Sequence, residues 1–233
     1  MDKSGKIVIP FIYSVLGRFS EGLAFVKLPT GKSSFIDKTG KEIIALSYDF
    51  AAPFFEGLSA VNKQFDTGDK CGYIDKTGKE VIPLQFNLAL NFSEGLAVVG
   101  INKRPGFGFN KGYINKAGKI VIPIQFDEAD EFHEGLAFVR TGEIETGNRA
   151  FINTTGKVII SLPYNSARPF REGLAAVNVR NKSGGFNYGF INKKGKEVIP
   201  LIYEEVGDCY KSRITVTLNG KVFLIDKTGK RIF

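Results

Sequence analysis

The chain has 233 residues, of which 43% are hydrophobic and 24% are charged, and its formal net charge is +8. This composition is that of an ordinary globular protein, and it excludes a chain that is disordered throughout. No apolar stretch approaches the roughly 18–20 residues that cross a bilayer, and the N-terminus lacks the apolar segment of a secretory signal, so we expect a cytoplasmic protein without membrane insertion.

The predicted elements are short strands and tight turns. The first strand runs from Lys6 to Pro10, and the first clear turn is the segment from Asp37 to Lys41, where an Asx residue and a glycine predict a type I turn followed by a glycine bulge. The segment from Leu96 to Val99 is a further strand, launched from a Glu-Gly pair whose glycine is predicted to have a positive φ. The stretch from Phe86 to Phe92 is a weaker strand or an irregular connection. No segment has sustained helical periodicity.

These elements recur almost from end to end of the chain. From each Gly-Lys glycine to the next Glu-Gly glycine the distance is 17 residues, as from Gly40 to Gly57, whereas the distance onward to the next Gly-Lys glycine varies from 18 to 23. Length variation is therefore confined to one connection per repeat, which predicts a variable-loop face on a rigid array. The Gly-Lys pairs begin at Gly5, Gly40, Gly78, Gly118, Gly156, Gly195 and Gly229, and the Glu-Gly pairs end at Gly22, Gly57, Gly95, Gly135 and Gly173.

The strands that follow the Gly-Lys pairs are apolar at consecutive positions, as in Ile120 to Ile122 and Val158 to Ile160. Such runs predict that both faces of these strands are covered by neighbouring sheets. Six repeats of about 38 residues, each a β-meander of three or four strands, account for nearly the whole chain and predict an all-β, six-bladed β-propeller-like ring. The alternative is an open β-solenoid of stacked repeats, because the C-terminal segment duplicates the strand of Ile7 to Ile9 and leaves one strand surplus for simple closure.

We predict a single repeat domain over residues 1–233. Its units begin near residues 1, 35, 72, 112, 150 and 189, with a partial terminal unit over 222–233. The sixth unit lacks the Glu-Gly-Leu element and has the segment from Tyr210 to Arg213 in its place, as a terminal unit of an array does.

The segment from Gly72 to Pro83, followed by that from Phe92 to Ala97, resembles the WG-containing repeat (WG/KWG β-repeat) of mainly bacterial proteins. The resemblance covers nearly the whole chain and implies a β-repeat architecture, but no reaction. The chain departs from the family pattern because it has no tryptophan. Cys71, Lys111 and Tyr188 stand where the Trp of the Trp-Gly pair is expected, so no role of that indole carries over.

Residues that could carry catalysis have simpler explanations. His133 fills a slot that other repeats give to Ser, Phe or Arg, so we interpret it as a surface residue. The Glu of each Glu-Gly pair recurs at one structural place, which favours a role in the turn over a ring of metal or acid-base groups. Cys71 and Cys209 are expected to pack, because the sequence places no base beside them. A hydrolase with a site in a central channel has the least support. We predict no catalytic residue, no metal, no cofactor and no enzyme activity.

The turn motifs carry thirteen of the 32 basic residues. If the turns align, these lysines form a basic rim that could attract phosphate backbones or other anionic surfaces. The competing interpretation is that they keep the hairpin tips and strand edges soluble.

The best candidates for binding lie where the repeats differ. Two long loops combine aromatic and basic residues, which suits a protein interface. We predict a non-catalytic binding or scaffold module whose variable-loop face engages a protein partner. The alternative is a binder of an anionic polymer, nucleic acid or acidic glycan, through the lysine-rich rim. The candidate partner-binding residues are Arg104, Phe107, Phe109 and Lys111 in one loop region and Arg180, Lys182, Phe186 and Tyr188 in the other.

Overall fold

A computed structural model of the chain describes residues 7–66, 68–103 and 108–232. Every regular element in these ranges is a β-strand. Within the same ranges, no helix is long and apolar enough to cross a membrane. The chain divides into two compact units, Met1–Ile124 and Gln125–Phe233. A single repeat domain over 1–233 therefore stays a prediction.

Unit 1 contains three four-stranded sheets, in each of which the strands are neighbours in chain order. Sheet 1 is β1–β4, sheet 2 is β5–β8 and sheet 3 is β9–β12, and β12 runs across the boundary between the units. Their bounds are β1 (Val15–Leu16), β2 (Ala24–Lys27), β3 (Ser33–Ile36), β4 (Glu42–Leu46), β5 (Phe50–Ala51), β6 (Leu58–Lys63), β7 (Lys70–Asp75), β8 (Glu80–Phe86), β9 (Leu88–Ser93), β10 (Leu96–Asn102), β11 (Phe109–Asn115) and β12 (Ile120–Phe126).

Unit 2 contains two four-stranded sheets and one three-stranded sheet. Sheet 4 is β13–β16, sheet 5 is β17–β20 and sheet 6 is β21–β23. Their bounds are β13 (Glu128–Ala129), β14 (Leu136–Thr141), β15 (Asn148–Asn153), β16 (Val158–Leu162), β17 (Ser166–Ala167), β18 (Leu174–Arg180), β19 (Phe186–Asn192), β20 (Glu197–Tyr203), β21 (Glu205–Val206), β22 (Arg213–Leu218) and β23 (Lys221–Asp226).

Each of the first five sheets is an antiparallel meander with the same three connections, and sheet 6 has the first two of them. The Glu-Gly turn, whose place Lys211 and Ser212 take in sheet 6, joins the first strand to the second. A loop, longer in sheets 1 to 5, joins the second strand to the third, and the Gly-Lys turn joins the third to the fourth where a fourth strand is present. Because successive strands run in opposite directions, both turns lie at one end of a sheet, the turn end, and the longer loop lies at the other, the loop end. The predicted variable connection is this loop, which spans residues 28–32, 64–69, 103–108, 142–147, 181–185 and 219–220 in sheets 1 to 6.

The Glu-Gly pair is a two-residue hairpin in which both residues have a positive φ. In sheet 3 φ is 54° at Glu94 and 82° at Gly95, which is the pattern of a type I′ turn. The positive φ predicted for the glycine is confirmed, and the structure adds the same conformation at the glutamate. In sheet 6 Lys211 (51°) and Ser212 (58°) adopt it without any glycine.

The Gly-Lys turn has the predicted form. The N–H of Gly40 donates to the carbonyl of Asp37 at 3.0 Å, and φ of Gly40 is 86°. Oδ1 of Asp37 accepts hydrogen bonds from the N–H groups of Thr39 (2.8 Å) and Lys41 (3.1 Å). The Asx residue therefore organises the turn through its own side chain.

Large apolar side chains fill the space between neighbouring sheets of each unit. The aromatic residue of each Phe-x-Glu-Gly element is central to this packing. Phe54 of sheet 2 is fully buried with its ring 4.7 Å from that of Phe35 in sheet 1, and Phe170 of sheet 5 lies 4.7 Å from Phe151 in sheet 4. Edge-on and tilted ring pairs of this kind add to the energy of apolar burial.

The prediction that both faces of the strands after the Gly-Lys pairs are covered is wrong. In β12 Ile122 is 1% exposed, but Ile120 is 48% and Val121 is 39% exposed. The fourth strand is the edge of its sheet, and only the last residue of the apolar run faces the neighbouring core.

The prediction of a strand from Lys6 to Pro10 is also wrong for its described residues. Ile7 to Pro10 form no strand, and Ile7 and Val8 are exposed. Ile9 instead packs, together with Tyr13, against the buried cluster of Ala24, Val26 and Ile36.

Candidate binding face

The loop end of the sheets is braced by polar side chains that the sequence interpretation missed. Oδ2 of Asp49 accepts a hydrogen bond from the N–H of Gln64 at 2.8 Å, where the loop of sheet 2 begins. The same hydrogen bond recurs in four further repeats. Its acceptor is the side chain of the polar residue that follows the Phe or Tyr at the end of a repeat, and its donor is the backbone N–H where the next loop begins. The pairs are Asn87 with Asn102, Asp127 with Gly142, Asn165 with Arg180 and Glu204 with Gly220. In the sequence, the signal for this hydrogen bond is a polar residue that recurs directly after Tyr or Phe. The loops thus have fixed bases and variable tips.

The loop of sheet 5 brings three of the predicted binding residues together. Arg180, Lys182 and Phe186 are all exposed, and Phe186 retains 39% of its accessible surface. The loop is ordered by Asn181, whose Oδ1 accepts hydrogen bonds from the N–H groups of Ser183 (3.1 Å) and Gly185 (3.0 Å). These three side chains therefore project from a defined turn.

Neighbouring loops of unit 2 approach each other. Nη1 of Arg180 lies 3.9 Å from Oε2 of Glu145, which belongs to the loop of sheet 4. Both side chains are more than half exposed, so the pair contributes little stability. It nevertheless places the two loops on one continuous surface.

Tyr188 has a different environment from the other candidates of its loop region. It is half-buried and packs against the core between sheets 5 and 6. The guanidinium of Arg168 lies 6.0 Å from the centre of its ring. Tyr188 is thus partly a packing residue.

The candidates of sheet 3 are only partly described. Phe109 pairs with Asn102 and Lys111 with Gly100 across β10 and β11, and both Phe109 and Lys111 are half-buried. Arg104 and Phe107 lie outside the described residues. A common surface for the two candidate regions therefore stays a prediction.

At the turn end, the glutamates of four Glu-Gly turns contact the following sheet through their side chains. Oε2 of Glu21 lies 2.9 Å from Nζ of Lys76 and accepts a hydrogen bond from the N–H of Gly57 at 3.1 Å. Lys76 comes from the Gly-Lys turn of sheet 2, and Gly57 from its Glu-Gly turn, so one carboxylate ties both turns to sheet 1. We call this arrangement the glutamate clamp. It recurs with Glu56, Lys116 and Gly95 and with Glu134, Lys193 and Gly173, and Glu172 accepts from the N–H groups of Lys211 and Ser212.

The clamps change the interpretation of the lysine rim. Lys76, Lys116 and Lys193 are neutralised by carboxylates and are not available as free positive charges. The lysine directly after each of the six described turn glycines is exposed and forms no ion pair with any described residue. These six lysines are Lys41, Lys79 and Lys119 in unit 1 and Lys157, Lys196 and Lys230 in unit 2.

In two of the clamps the contacts favour the charged form of the carboxylate, those of Glu21 and Glu134. The pKa of Glu21 lies below its ordinary value of 4.5, first because of the hydrogen bond from Lys76 and then because of the backbone N–H of Gly57. Burial tends to raise the pKa of Glu134, but the hydrogen bonds from Lys193 and Gly173 outweigh it, and the net shift is downward. A lowered pKa in the folded state makes the folded state more stable when the carboxyl is ionised.

Glu21→Gln/Glu134→Gln is therefore expected to lower stability at pH 7 by about 0.2–1 kcal/mol per clamp, the range of exposed ion pairs. Since the shift is downward, this contribution is complete above the unfolded-state pKa and disappears as the pH falls below about 4.5 through the folded-state value. Thermal melting of the parent and the variant at pH 7, 5, 4 and 3 checks this. A melting-temperature difference that stays constant or grows on acidification would contradict the clamp.

The structure also shows the surroundings of the residues that were considered for catalysis or metal binding. His133 is half-buried rather than exposed, and its backbone pairs with Leu136. Cys209 lies in the core between sheets 5 and 6, and burial raises the pKa of its thiol. Among the residues that the structure describes, no three or more His, Cys, Asp or Glu side chains are grouped to hold a metal ion. A cavity of about 460 Å³ lies at the turn end of sheet 6, lined in part by Tyr210, Lys211 and Arg213.

Comparison of the sequence with known families finds repeated matches. A family model described as the WG-containing repeat matches residues 1–28, 34–64, 72–104, 112–143, 150–182 and 188–221. These segments together cover most of the chain. A search of curated proteins finds no match.

Several solved structures share the fold. A eukaryotic initiation factor matches with 11% identity and a TM-score of 0.67, over 99% of this chain and 68% of that chain. The Dos1 propeller matches with 13% identity and a TM-score of 0.54, over 95% and 69%. A prolyl endopeptidase structure matches with 12% identity and a TM-score of 0.58, over 94% of this chain and 42% of that chain. At such identities the likeness establishes the fold alone. The predicted β-propeller-like class of six sheets is confirmed, and the open solenoid is not needed.

Proposed function

The chain belongs to the WG-containing repeat family, and we propose that it is a non-catalytic binding and scaffold protein whose variable-loop face engages a protein partner. β-Propeller and related repeat folds commonly mediate protein binding. A protein-binding surface on such a fold needs rigid support for side chains that differ from repeat to repeat.

The observation that carries the proposal is the construction of the loop end. Polar side chains such as Asp49 and Asn165 fix the loop bases, while the tips differ in length and composition. In sheet 5 the tip presents Arg180, Lys182 and Phe186 together. An aromatic residue beside Arg on a preordered loop is the composition of a protein hot spot, because little conformational entropy is lost on binding.

A second candidate is a binder of an anionic polymer, nucleic acid or acidic glycan. The six exposed lysines that follow the turn glycines favour it, as does the cavity lined by Lys211 and Arg213. The glutamate clamps count against it, because they neutralise three of the other turn lysines. We therefore place it second.

The test compares two matched triple variants in affinity capture from the source cell, with nuclease-treated controls and mass spectrometry. Arg180→Ser/Lys182→Ser/Phe186→Ser is expected to weaken capture of the partner tenfold or more, which corresponds to about 1.4 kcal/mol. Its fold is expected to survive, since exposed substitutions usually cost within about 0.5 kcal/mol each. Lys41→Gln/Lys79→Gln/Lys119→Gln, which removes the same number of charged or large side chains at the turn end, is expected to have little effect.

The opposite ranking, with the lysine variant impaired and the loop variant intact, would favour the anionic polymer. A salt titration gives an independent answer. Binding to a phosphate backbone weakens steeply with salt because counterions are released, whereas a hot-spot interface is much less sensitive.

A further inference from the structure

An apolar cavity of about 340 Å³ lies between sheets 2 and 3 within unit 1. Its floor is formed by Ala60 and Val61 of β6, which are buried, and by the half-buried Cys71 of β7. Phe50 and Leu88, from the first strands of the two sheets, line its sides. The cavity opens beside the loop of sheet 2, so it belongs to the loop end of the array.

In sheet 5 the position equivalent to Cys71 is occupied by Tyr188. Tyr188 pairs with Asn178 and Tyr203 across its neighbouring strands, as Cys71 pairs with Asn62 and Phe86. The corresponding cavity in sheet 5 is smaller, about 230 Å³, and is lined by Tyr188 and Arg168, where sheet 2 has Cys71 and Ala52. The fold therefore accommodates an aromatic residue at this position, and the shorter Cys71 and Ala52 side chains leave more space open in sheet 2.

The mouth of the cavity is polar. Asp69, in the loop of sheet 2, is exposed and forms no ion pair with any residue that the structure describes, and the amides of Asn62 and Asn87 lie at the same rim. A carboxylate accepts hydrogen bonds but cannot donate them. The cavity thus suits an aromatic group that carries an N–H or O–H donor at its outer end, as Trp and Tyr do.

We propose that this cavity is an anchor pocket for a Trp or Tyr side chain of a protein partner. The partner's ring fills the cavity between sheets 2 and 3, at the position equivalent to that of Tyr188 in sheet 5. Its N–H or O–H group reaches Asp69. Aromatic side chains that fill preformed pockets are the usual anchors of protein interfaces. That the ring belongs to a protein partner rests on the proposed protein-binding function, but the pocket itself can be tested without the partner.

The probe is N-acetyl-L-tryptophanamide. Because the chain contains no tryptophan, the indole fluorescence of the probe reports binding without background. Saturable binding with a blue-shifted emission is expected. Cys71→Tyr, which supplies the ring from within the chain, is expected to weaken probe binding at least tenfold while preserving the melting temperature. Ser183→Tyr, an exposed ring in the loop of sheet 5, is the matched control and is expected to bind the probe as the parent does.

Alkylation of the unmodified protein guards against a variant that misfolds. Saturating probe is expected to slow the reaction of Cys71 with N-ethylmaleimide, while the buried Cys209 reports any global opening. Equal probe binding by the parent and by a folded Cys71→Tyr variant, or an alkylation rate of Cys71 that the probe leaves unchanged, would overturn the pocket. Neither result bears on partner capture by the loop of sheet 5, so the two proposals fail separately.

Discussion

Gly72→Ala is expected to lower the free energy of unfolding by about 1–3 kcal/mol, the usual cost of forcing an extra carbon into a packed site. A Cβ at Gly72 would lie 2.4 Å from the carbonyl oxygen of Ile82 and 2.8 Å from the carbonyl carbon of Pro83. These are backbone atoms of β8, which cannot rotate away as a side chain can. Urea unfolding of the parent and the variant measures the loss.

The reason lies in the way the fourth strand passes over the third. Cys71 pairs with Phe86 and Tyr73 with Ile82, so three residues, including Pro83, stand opposite Gly72 alone. Proline cannot donate a ladder hydrogen bond, and it is found at sheet edges and bulges. In sheet 1 the equivalent fourth-strand residue is Ala45, the pairing stays in register from Ser33 to Phe35, and Ser34 takes the glycine's place.

The glycine and the proline are therefore expected to be coupled. In a Pro83→Ala background, where β8 can pair as β4 does, Gly72→Ala should cost clearly less than in the parent. Ser34→Ala is the control at the equivalent position, where a Cβ is already accommodated. It should lower the free energy of unfolding clearly less than Gly72→Ala does in the parent. Equal costs for Gly72→Ala in the two backgrounds would show that the bulge does not depend on the proline.

Gly95→Val is expected to destabilise the protein by about 1–3 kcal/mol, the cost of holding a β-branched residue in a left-handed conformation. No atom lies within 4 Å of a Cβ added at Gly95, so the loss isolates the backbone strain of the type I′ turn. The N–H of Gly95 that donates to Glu56 is retained in the valine. Thermal melting within about a degree of the parent would show that the turn can relax at no cost.

Sheet 6 offers the reverse substitution as a matched control. Ser212 occupies the position of the Glu-Gly glycine with φ of 58°. Ser212→Gly should raise stability by up to about 1 kcal/mol, because glycine adopts this conformation without the steric cost of a side chain. Its N–H bond to Glu172 is kept, and the change removes only the long 3.4 Å hydrogen bond from the Ser212 hydroxyl to the same carboxylate. A melting temperature lowered by this change would contradict the role assigned to the turn.

The sequence by itself determined the features that depend on neighbours in the chain. The Asx and glycine residues at Asp37 and Gly40 specify the turn because the required φ and the side-chain hydrogen bonds are both local. The fixed spacing between turns and the variable spacing between strands located the loop correctly. Periodic recurrence of these local signals was sufficient to predict six repeats and the propeller-like fold.

Only the tertiary structure decided which of these residues are available for binding. Lys76 is neutralised by Glu21, 55 positions earlier in the chain, whereas Lys79, three residues on, is free of described ion pairs. Ile120 and Ile122 belong to the same apolar run, yet one is exposed and one buried, because only one faces the next core. The cavity at Cys71 arises from the packing of sheet 2 against sheet 3. Burial, charge neutralisation and unfilled space depend on distances between sheets, which the spacing of residues along the chain does not contain.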